Sequence, residues 1–242
     1  PDVRTVVVCT GGGGLLAGVA RAVKSVSPTV RVVGVQAESA AAYPPSLEAG
    51  SPVSLPSMST MADGIAVGRP GDVPFAIIRD LVDEIVTVTE DEISRAVLLL
   101  LERAKLVVEP AGAAAAAAVL AHPEAFEPPV AVVISGGNVD ALVLLRIIRH
   151  GLAAAGRYLT VVVRMPDRPG SLARLLNAVQ AMHANVVDVE HSRVDAGLRV
   201  DEVDIVVHVE TRGPEHCASL LEDLAERGYR TVSYRVGGDQ AP

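Results

Sequence analysis

Residues 4–9 close on an uninterrupted apolar run, Val6, Val7, Val8 and Cys9. Such a run is expected of a strand covered on both faces, not of one alternating between core and water. Gly11, Gly12, Gly13 and Gly14 follow, and residues 15–26 then carry apolar side chains at helical spacing, so the chain opens as strand, tight turn and helix. Residues 30–35 read as a second strand, which makes a βαβ unit with the glycines at the carboxyl end of its first strand. Residues 43–72 are rich in Pro, Ser, Met and Gly and are expected to form an irregular excursion, which at that length is often functional. Residues 85–88 form a third strand. Thr89 and Glu92 match a capping box that opens a helix running to Lys105. After Glu109-Pro110 the Ala-rich residues 111–121 make a tightly packing helix. Residues 130–134 make a fourth strand, which ends in Ser135-Gly136-Gly137-Asn138 before a helix to His150.

The pattern changes beyond residues 151–157, which are small and flexible in composition. Leu159, Val161, Val163 and Met165 alternate as a strand, and Leu172, Leu175, Leu176, Val179 and Met182 recur at helical spacing. Residues 185–194 and 200–211 are two further strands, the second alternating Val203, Ile205, Val207 and Val209 against polar positions. Gly213-Pro214 starts a helix with Cys217, Leu220, Leu221 and Leu224 on one face, stopped by Gly228, and residues 230–236 are the last strand. The order βαββαβ describes a ferredoxin-like layer. The expected organisation is an α/β parallel-sheet part at 1–152, a linker at 153–157 and a second domain at 158–237.

Composition narrows the function. Half of the 242 residues are hydrophobic, with no Trp and two Phe, so the core is aliphatic. A net charge of −8 argues against nucleic acid or an anionic membrane, both of which need a basic face, and points to a small-molecule ligand. No signal-peptide pattern opens the chain and its longest apolar stretch is too short to span a bilayer, so a cytoplasmic location is expected. Cys9 and Cys217 sit in predicted core elements without CxxC or a His cluster, and read as buried thiols. The six histidines lack ligand spacing and take no role.

Four glycines between a strand and a helix present several N–H groups, with no Cβ in the way, at the positive end of a helix dipole, where an oxyanion fits. A turn that needs positive φ is the plainer reading, although one or two glycines would satisfy it. A nucleoside-triphosphate loop is disfavoured, because Gly13 and Gly18 have its spacing but Val19 stands where Lys is required. A dinucleotide site stays open: Gly12, Gly14 and Ala17 fit GxGxxA, and Glu38 lies where a ribose-binding acid would sit. Ser135, at the carboxyl end of another strand, can hydrogen-bond a neutral ring nitrogen, while an isolated SGGN is more often a turn and helix cap.

The segments CTGGGGLLAG, TMADGIAVG, VVEPAGAAAA and VISGGNVD, in this order, resemble the second half of the pyridoxal-phosphate-dependent threonine dehydratases (threonine ammonia-lyases), of the tryptophan synthase β-like fold (fold type II). RMPDRPGSLARLL followed by HANVVDVEHSR resembles the ACT regulatory domain appended in that family. The resemblance implies that Gly11, Gly12, Gly13, Gly14 and Leu15 hold the cofactor phosphate and that Ser135 partners the pyridine nitrogen. It places Asp63, Gly64, Glu109 and Asn138 near the ring, although a cap or a solvated acid reads equally well for the two acids. It implies deamination of L-threonine, with L-serine as a second substrate, to 2-oxobutanoate and ammonia.

Family members bind the cofactor through a lysine of an SxKxRG-like motif, and no such motif occurs here. Lys24 and Lys105 are the only lysines, and both are expected on solvated surface. The abrupt start at Pro1 is read as that of a truncated or proteolysed piece, inactive alone and partnered by its missing amino-terminal part. Gln36 and Ala42 stand where relatives often carry metal-binding acids, so no divalent cation is expected. By the same resemblance, Asp167, Arg168, Pro169, Gly170 and Asn185 form an amino-acid effector pocket at a pair of ACT domains, with a branched-chain amino acid such as isoleucine as effector. Exposed sheet edges suggest a homo-oligomer. Two other readings stand beside this one: an NAD-dependent dehydrogenase with an ACT domain, and a non-enzymatic amino-acid sensor.

Overall fold

The computed structural model describes residues 2–193 and 197–237. The chain divides between Gly151 and Leu152 into two compact units. Among the described residues no helix is long and apolar enough to cross a membrane.

The first unit is built on a four-stranded, wholly parallel sheet ordered β3-β2-β1-β4, with β1 Thr5–Cys9, β2 Arg31–Ala37, β3 Glu84–Val88 and β4 Val130–Val132. All five residues of β1 are buried because both faces are covered. Successive side chains point to opposite faces. Val7 and Cys9 therefore pack with Val33 and Val35 against α4 (Glu90–Leu99) and α5 (Pro110–Ala121), while Val6 and Val8 pack with Leu16, Tyr43, Phe75 and Ile78 of α1 (Gly14–Val26), α2 (Tyr43–Ala49) and α3 (Asp72–Leu81). In α5 every residue from Pro110 to Ala118 is buried, and the short alanine side chains let it pack closely on the sheet. The capping box at Thr89 forms as expected, with the Glu92 amide donating to Thr89 Oγ1 (3.3 Å) and the Thr89 amide to Glu92 Oε2 (2.8 Å).

Four local expectations change. Residues 43–72 are not irregular throughout, because α2 occupies their start. Pro44 and Pro45 lie in its first turn, where a missing N–H costs nothing, and Gly50 closes it at φ +70°. The helix after Thr89 stays α-helical only to Leu99, and a π-turn (Leu100–Ala104) then ends it at Lys105, which has φ +60°. The fourth strand ends at Val132, although the Val133 amide still donates to Val7 O at 2.9 Å. Helix α6 (Ala141–Ala154) follows, running past the expected end at His150 and into the expected linker at 153–157.

The second unit is an antiparallel sheet ordered β6-β7-β5-β8, with β5 Tyr158–Pro166, α7 Ser171–Ala181, β6 Asn185–Ser192, β7 Glu202–Glu210, α8 Pro214–Glu226 and β8 Arg230–Val236. The alternating apolar residues of β5 and β7 face Leu175 and Val179 of α7 and Cys217, Leu220 and Leu224 of α8, so one sheet face carries both helices. Val194, the expected end of β6, lies outside the described residues.

Candidate functional site

The glycine loop bridges the carboxyl end of β1 and the amino terminus of α1, and its four residues are not equivalent. Gly13 has φ +97°, and a Cβ there would fall 1.8 Å from Tyr43 Oη and 2.8 Å from Ile78 Cδ1. A Cβ on Gly11 would approach Ile65 Cα to 3.0 Å, whereas one on Gly14 would meet nothing within 4 Å. Packing underneath therefore demands glycine at 11 and 13, and Gly14 leaves the outer side bare. The Gly12 carbonyl is drawn inward by Tyr43 Oη (3.2 Å) and the Gly71 amide (3.1 Å).

The bare side opens on a cleft of about 270 Å³ lined by Cys9, Thr10, the four glycines, Leu15, Gly64, Ile65, Glu109, Ala111 and Ser135. Ser135 is set by its neighbours: a Cβ on Gly112 of α5 would fall 1.7 Å from the Ser135 carbonyl oxygen, so that glycine lets the helix abut the turn. At Gly136 (φ +84°) a Cβ would lie 2.0 Å from Glu109 Oε1. Ser135 Oγ is 3.1 Å from Cys9 Sγ. Burial pushes the Cys9 thiol above its ordinary pKa, opposed by the Ser135 hydrogen bond and reinforced by the Glu109 charge. Cys9 thus lines the cleft as well as being buried, a position signalled in the sequence only by its place at the end of β1.

Gly64 and Glu109 are brought to the cleft, whereas Asp63 and Asn138 are exposed and do not line it. Asp63 Oδ1 accepts from the Gly64 amide at 2.8 Å. Glu38 is likewise exposed, on a short turn after β2, and outside the cleft. Neither lysine lines it. Lys24 is not the solvated residue expected: its ammonium pairs with Asp83 at 2.7 Å and its side chain is only 16% exposed. Burial raises the Asp83 carboxyl, but the bonds from Lys24 and the Val32 amide outweigh it and hold the group below its ordinary pKa. Lys105 is exposed and donates to Glu102 O. Gln36 is buried with its amide spent on the backbone, accepting from Tyr43 N at 2.9 Å and donating to Ala40 O at 3.5 Å. Among the described residues no cluster of His, Cys, Asp or Glu could hold a metal.

The segment carrying Gly64 is tied down by Glu90 of α4, which accepts from Thr60 Oγ1 (2.5 Å) and from the Met61 amide (2.8 Å). Removing a charged acceptor from two partly buried donors costs about 1.5 to 3 kcal/mol. Glu90→Ala is therefore expected to lower the thermal midpoint and to speed proteolytic cleavage between residues 51 and 71; unchanged cleavage would mean that the tether is held elsewhere.

In the second unit Asp167, Arg168, Pro169 and Gly170 form the exposed turn into α7, with Gly170 at φ +86°. The Arg193 guanidinium, 2.8 Å away, holds the Asp167 carboxyl below its ordinary pKa. Asn185 is not with them. It pairs with Glu210, which pairs with Tyr158 at the start of β5, whereas Asp167 follows the end of that nine-residue strand, about 25–30 Å away at about 3.3 Å per residue. The separation arises because α7 carries the chain back along the sheet before β6 begins. Asn185 instead donates to Glu210 Oε2 (3.0 Å) and lines another cleft, of about 300 Å³, with Arg157, Tyr158, His183 and Arg212.

Comparison with known proteins agrees with both units. Residues 159–226 match the ACT domain. Over 230 residues the chain is 43% identical to an L-threonine ammonia-lyase of Geobacter sulfurreducens, which covers 95% of this chain and 57% of the relative. An L-threonine ammonia-lyase of Thermotoga maritima is also 43% identical, with the same coverage. The chain thus spans 57% of the length of these curated relatives. The crystal structure of a threonine deaminase from T.th. aligns with a TM-score of 0.56 and 45% identity over 57% of this chain and 51% of that one. The family described as pyridoxal-phosphate dependent enzyme matches residues 1–136, more than half of the chain, and the chain therefore belongs to the pyridoxal-phosphate-dependent enzymes.

Proposed function

We propose that the cleft between the glycine loop and Ser135 holds pyridoxal phosphate, and that the complete enzyme deaminates L-threonine, and L-serine, with an ACT-bound amino acid as regulator. The observation that carries this reading is the pairing of two unlike walls across one cleft. The bare backbone at Gly14 and the start of α1 suit a phosphate dianion, and the Ser135 hydroxyl suits a neutral ring nitrogen. Leu15 lies in the first turn of α1 and Glu109 completes the lining in this proposal; Asp63 acts only through the Gly64 amide it accepts from, and Asn138 stays outside.

When bound, the cofactor supplies the electron sink for charge leaving the amino-acid α-carbon. Ser135 would hold the ring nitrogen through its hydroxyl while keeping its own proton, which would favour loss of the β-hydroxyl over transamination. Burial keeps Cys9 in its thiol form, and its sulfur holds Ser135 Oγ at 3.1 Å, fixing the position of the hydroxyl on that wall of the cleft. Gly64 keeps the loop wall low, where a side chain would press on Ala111. Neither Lys24 nor Lys105 lines the cleft, and in this proposal the base that takes the α-proton is a lysine that this chain does not contain.

The names of the relatives support threonine as substrate. Mixing the chain with pyridoxal phosphate and L-threonine is expected to give saturable cofactor binding without 2-oxobutanoate. Release of 2-oxobutanoate would overturn the assignment of the base, and absence of binding would overturn the cleft assignment.

In the regulatory unit, Asp167, Arg168, Pro169 and Gly170 of one copy and Asn185 of a second form the effector pocket in this proposal, since one chain holds them at opposite ends of its sheet. It requires a homo-oligomer. Calorimetry with isoleucine and valine should show heat for at least one of them; no heat for either would sink the pocket.

A further inference from the structure

We propose that Tyr43 is a positioning residue of the glycine loop: by holding the Gly12 carbonyl it turns the Gly13 N–H into the cleft and raises affinity for a phosphate-bearing cofactor. The proposal rests on the reading of the loop as a phosphate cradle. In a trans peptide the C=O and the following N–H point to opposite sides. The Gly12 carbonyl is pinned on the α2 and α3 side by two donors, Tyr43 Oη at 3.2 Å and the Gly71 amide at 3.1 Å, so the Gly13 N–H is left directed away from that side. Gly13 itself sits against the phenol, where any Cβ would overlap Oη.

The phenol is held as firmly as the loop it supports. Tyr43 is fully buried, its ring stacks on Phe75 with centroids 6.3 Å apart, and its amide donates to Gln36 Oε1 at 2.9 Å. Burial pushes its pKa up to about 12, so the hydroxyl remains a donor throughout the working pH range. A fully buried hydroxyl needs a partner, and here that partner is a carbonyl whose orientation sets the next N–H.

The test compares pyridoxine 5′-phosphate with pyridoxine, which differ in the phosphate and carry no aldehyde to react with lysines. Binding to the wild-type chain and to Tyr43→Phe is measured by calorimetry, together with the ³¹P resonance of the bound phosphate. Loss of one hydrogen bond behind the loop should weaken pyridoxine 5′-phosphate about three- to tenfold, leave pyridoxine unchanged and shift the ³¹P signal. A Phe75→Leu variant, which loosens the same packing without touching the hydroxyl, should keep the wild-type ratio of the two affinities. Equal affinity and ³¹P shift in Tyr43→Phe, an equal loss for both ligands, or the same change of ratio in Phe75→Leu would each overturn the proposal. A wild-type chain that binds pyridoxine 5′-phosphate no better than pyridoxine would overturn the phosphate cradle itself, and the role of Tyr43 with it.

Discussion

Gly13→Ala is expected to lower the stability of the first unit by about 2 to 6 kcal/mol and to abolish measurable phosphate-dependent binding. Two costs combine. An alanine at φ +97° occupies a region that L-residues enter only with strain, at about 1 to 3 kcal/mol, and its methyl would lie 1.8 Å from Tyr43 Oη and 2.8 Å from Ile78 Cδ1, an overpacking worth about another 1 to 3 kcal/mol. The backbone cannot escape by a local flip, because the Gly12 carbonyl is fixed by Tyr43 and Gly71. Relief must come from moving α2 or the loop, and either motion redirects the N–H groups facing the cleft. Gly14→Ala is the control, since its Cβ would meet nothing: its folding should be close to wild type. Chemical unfolding followed by circular dichroism reads the difference, and equal stability for the two variants would show that the loop relaxes more cheaply than its packing implies.

That contrast marks the limit of what the sequence discloses. The glycine run, the buried strands, the capping box and the βαββαβ alternation are local patterns, and the structure holds each of them, with β4 two residues shorter than its pattern. What stays hidden depends on which elements become neighbours. Cys9 and Ser135 are 126 residues apart and meet only because β4 pairs with β1. Tyr43 lies in a stretch whose prolines read as loop, yet Pro44 and Pro45 open α2 and set the phenol beneath the glycines. Lys24 finds Asp83 across β2 and the end of α3, so a residue read as solvated is an ion-paired one. Asn185 and Asp167 read as one pocket by resemblance, and the antiparallel register sends them to opposite ends of the sheet.

The same register creates the second large expected effect. Arg164 of β5 lies directly opposite Asp204 of β7, on the face of the sheet away from α7 and α8, and meets its carboxylate through two bonds, Nε at 2.8 Å and Nη2 at 2.7 Å. Asp204 is 2% exposed, and the Arg164 side chain is 12% exposed. Asp204→Ala leaves that guanidinium without its carboxylate and should cost about 3 kcal/mol, while replacing both partners by apolar residues of similar size should recover most of the loss. The hydrogen bonds from Arg164 hold the Asp204 carboxyl below its ordinary pKa, against the opposing effect of burial and with help from the Arg164 and Arg230 charges. A carboxyl depressed in the folded state stabilises above its unfolded pKa of about 4 and stops doing so as pH falls through the folded value. Wild-type stability from this pair should therefore be flat between about pH 5 and 8 and decline below about pH 4, with a shallower acid decline in Asp204→Ala. Arg164 also donates to Gly197 O at 2.9 Å, and the Asp167 amide donates to Asp201 O at 2.9 Å, so the pair anchors the sheet end that carries the 167–170 turn. Effector heat should weaken in Asp204→Ala and return in the double apolar variant; a variant as stable as wild type at pH 7 would show that the charge pair contributes nothing to this end of the sheet.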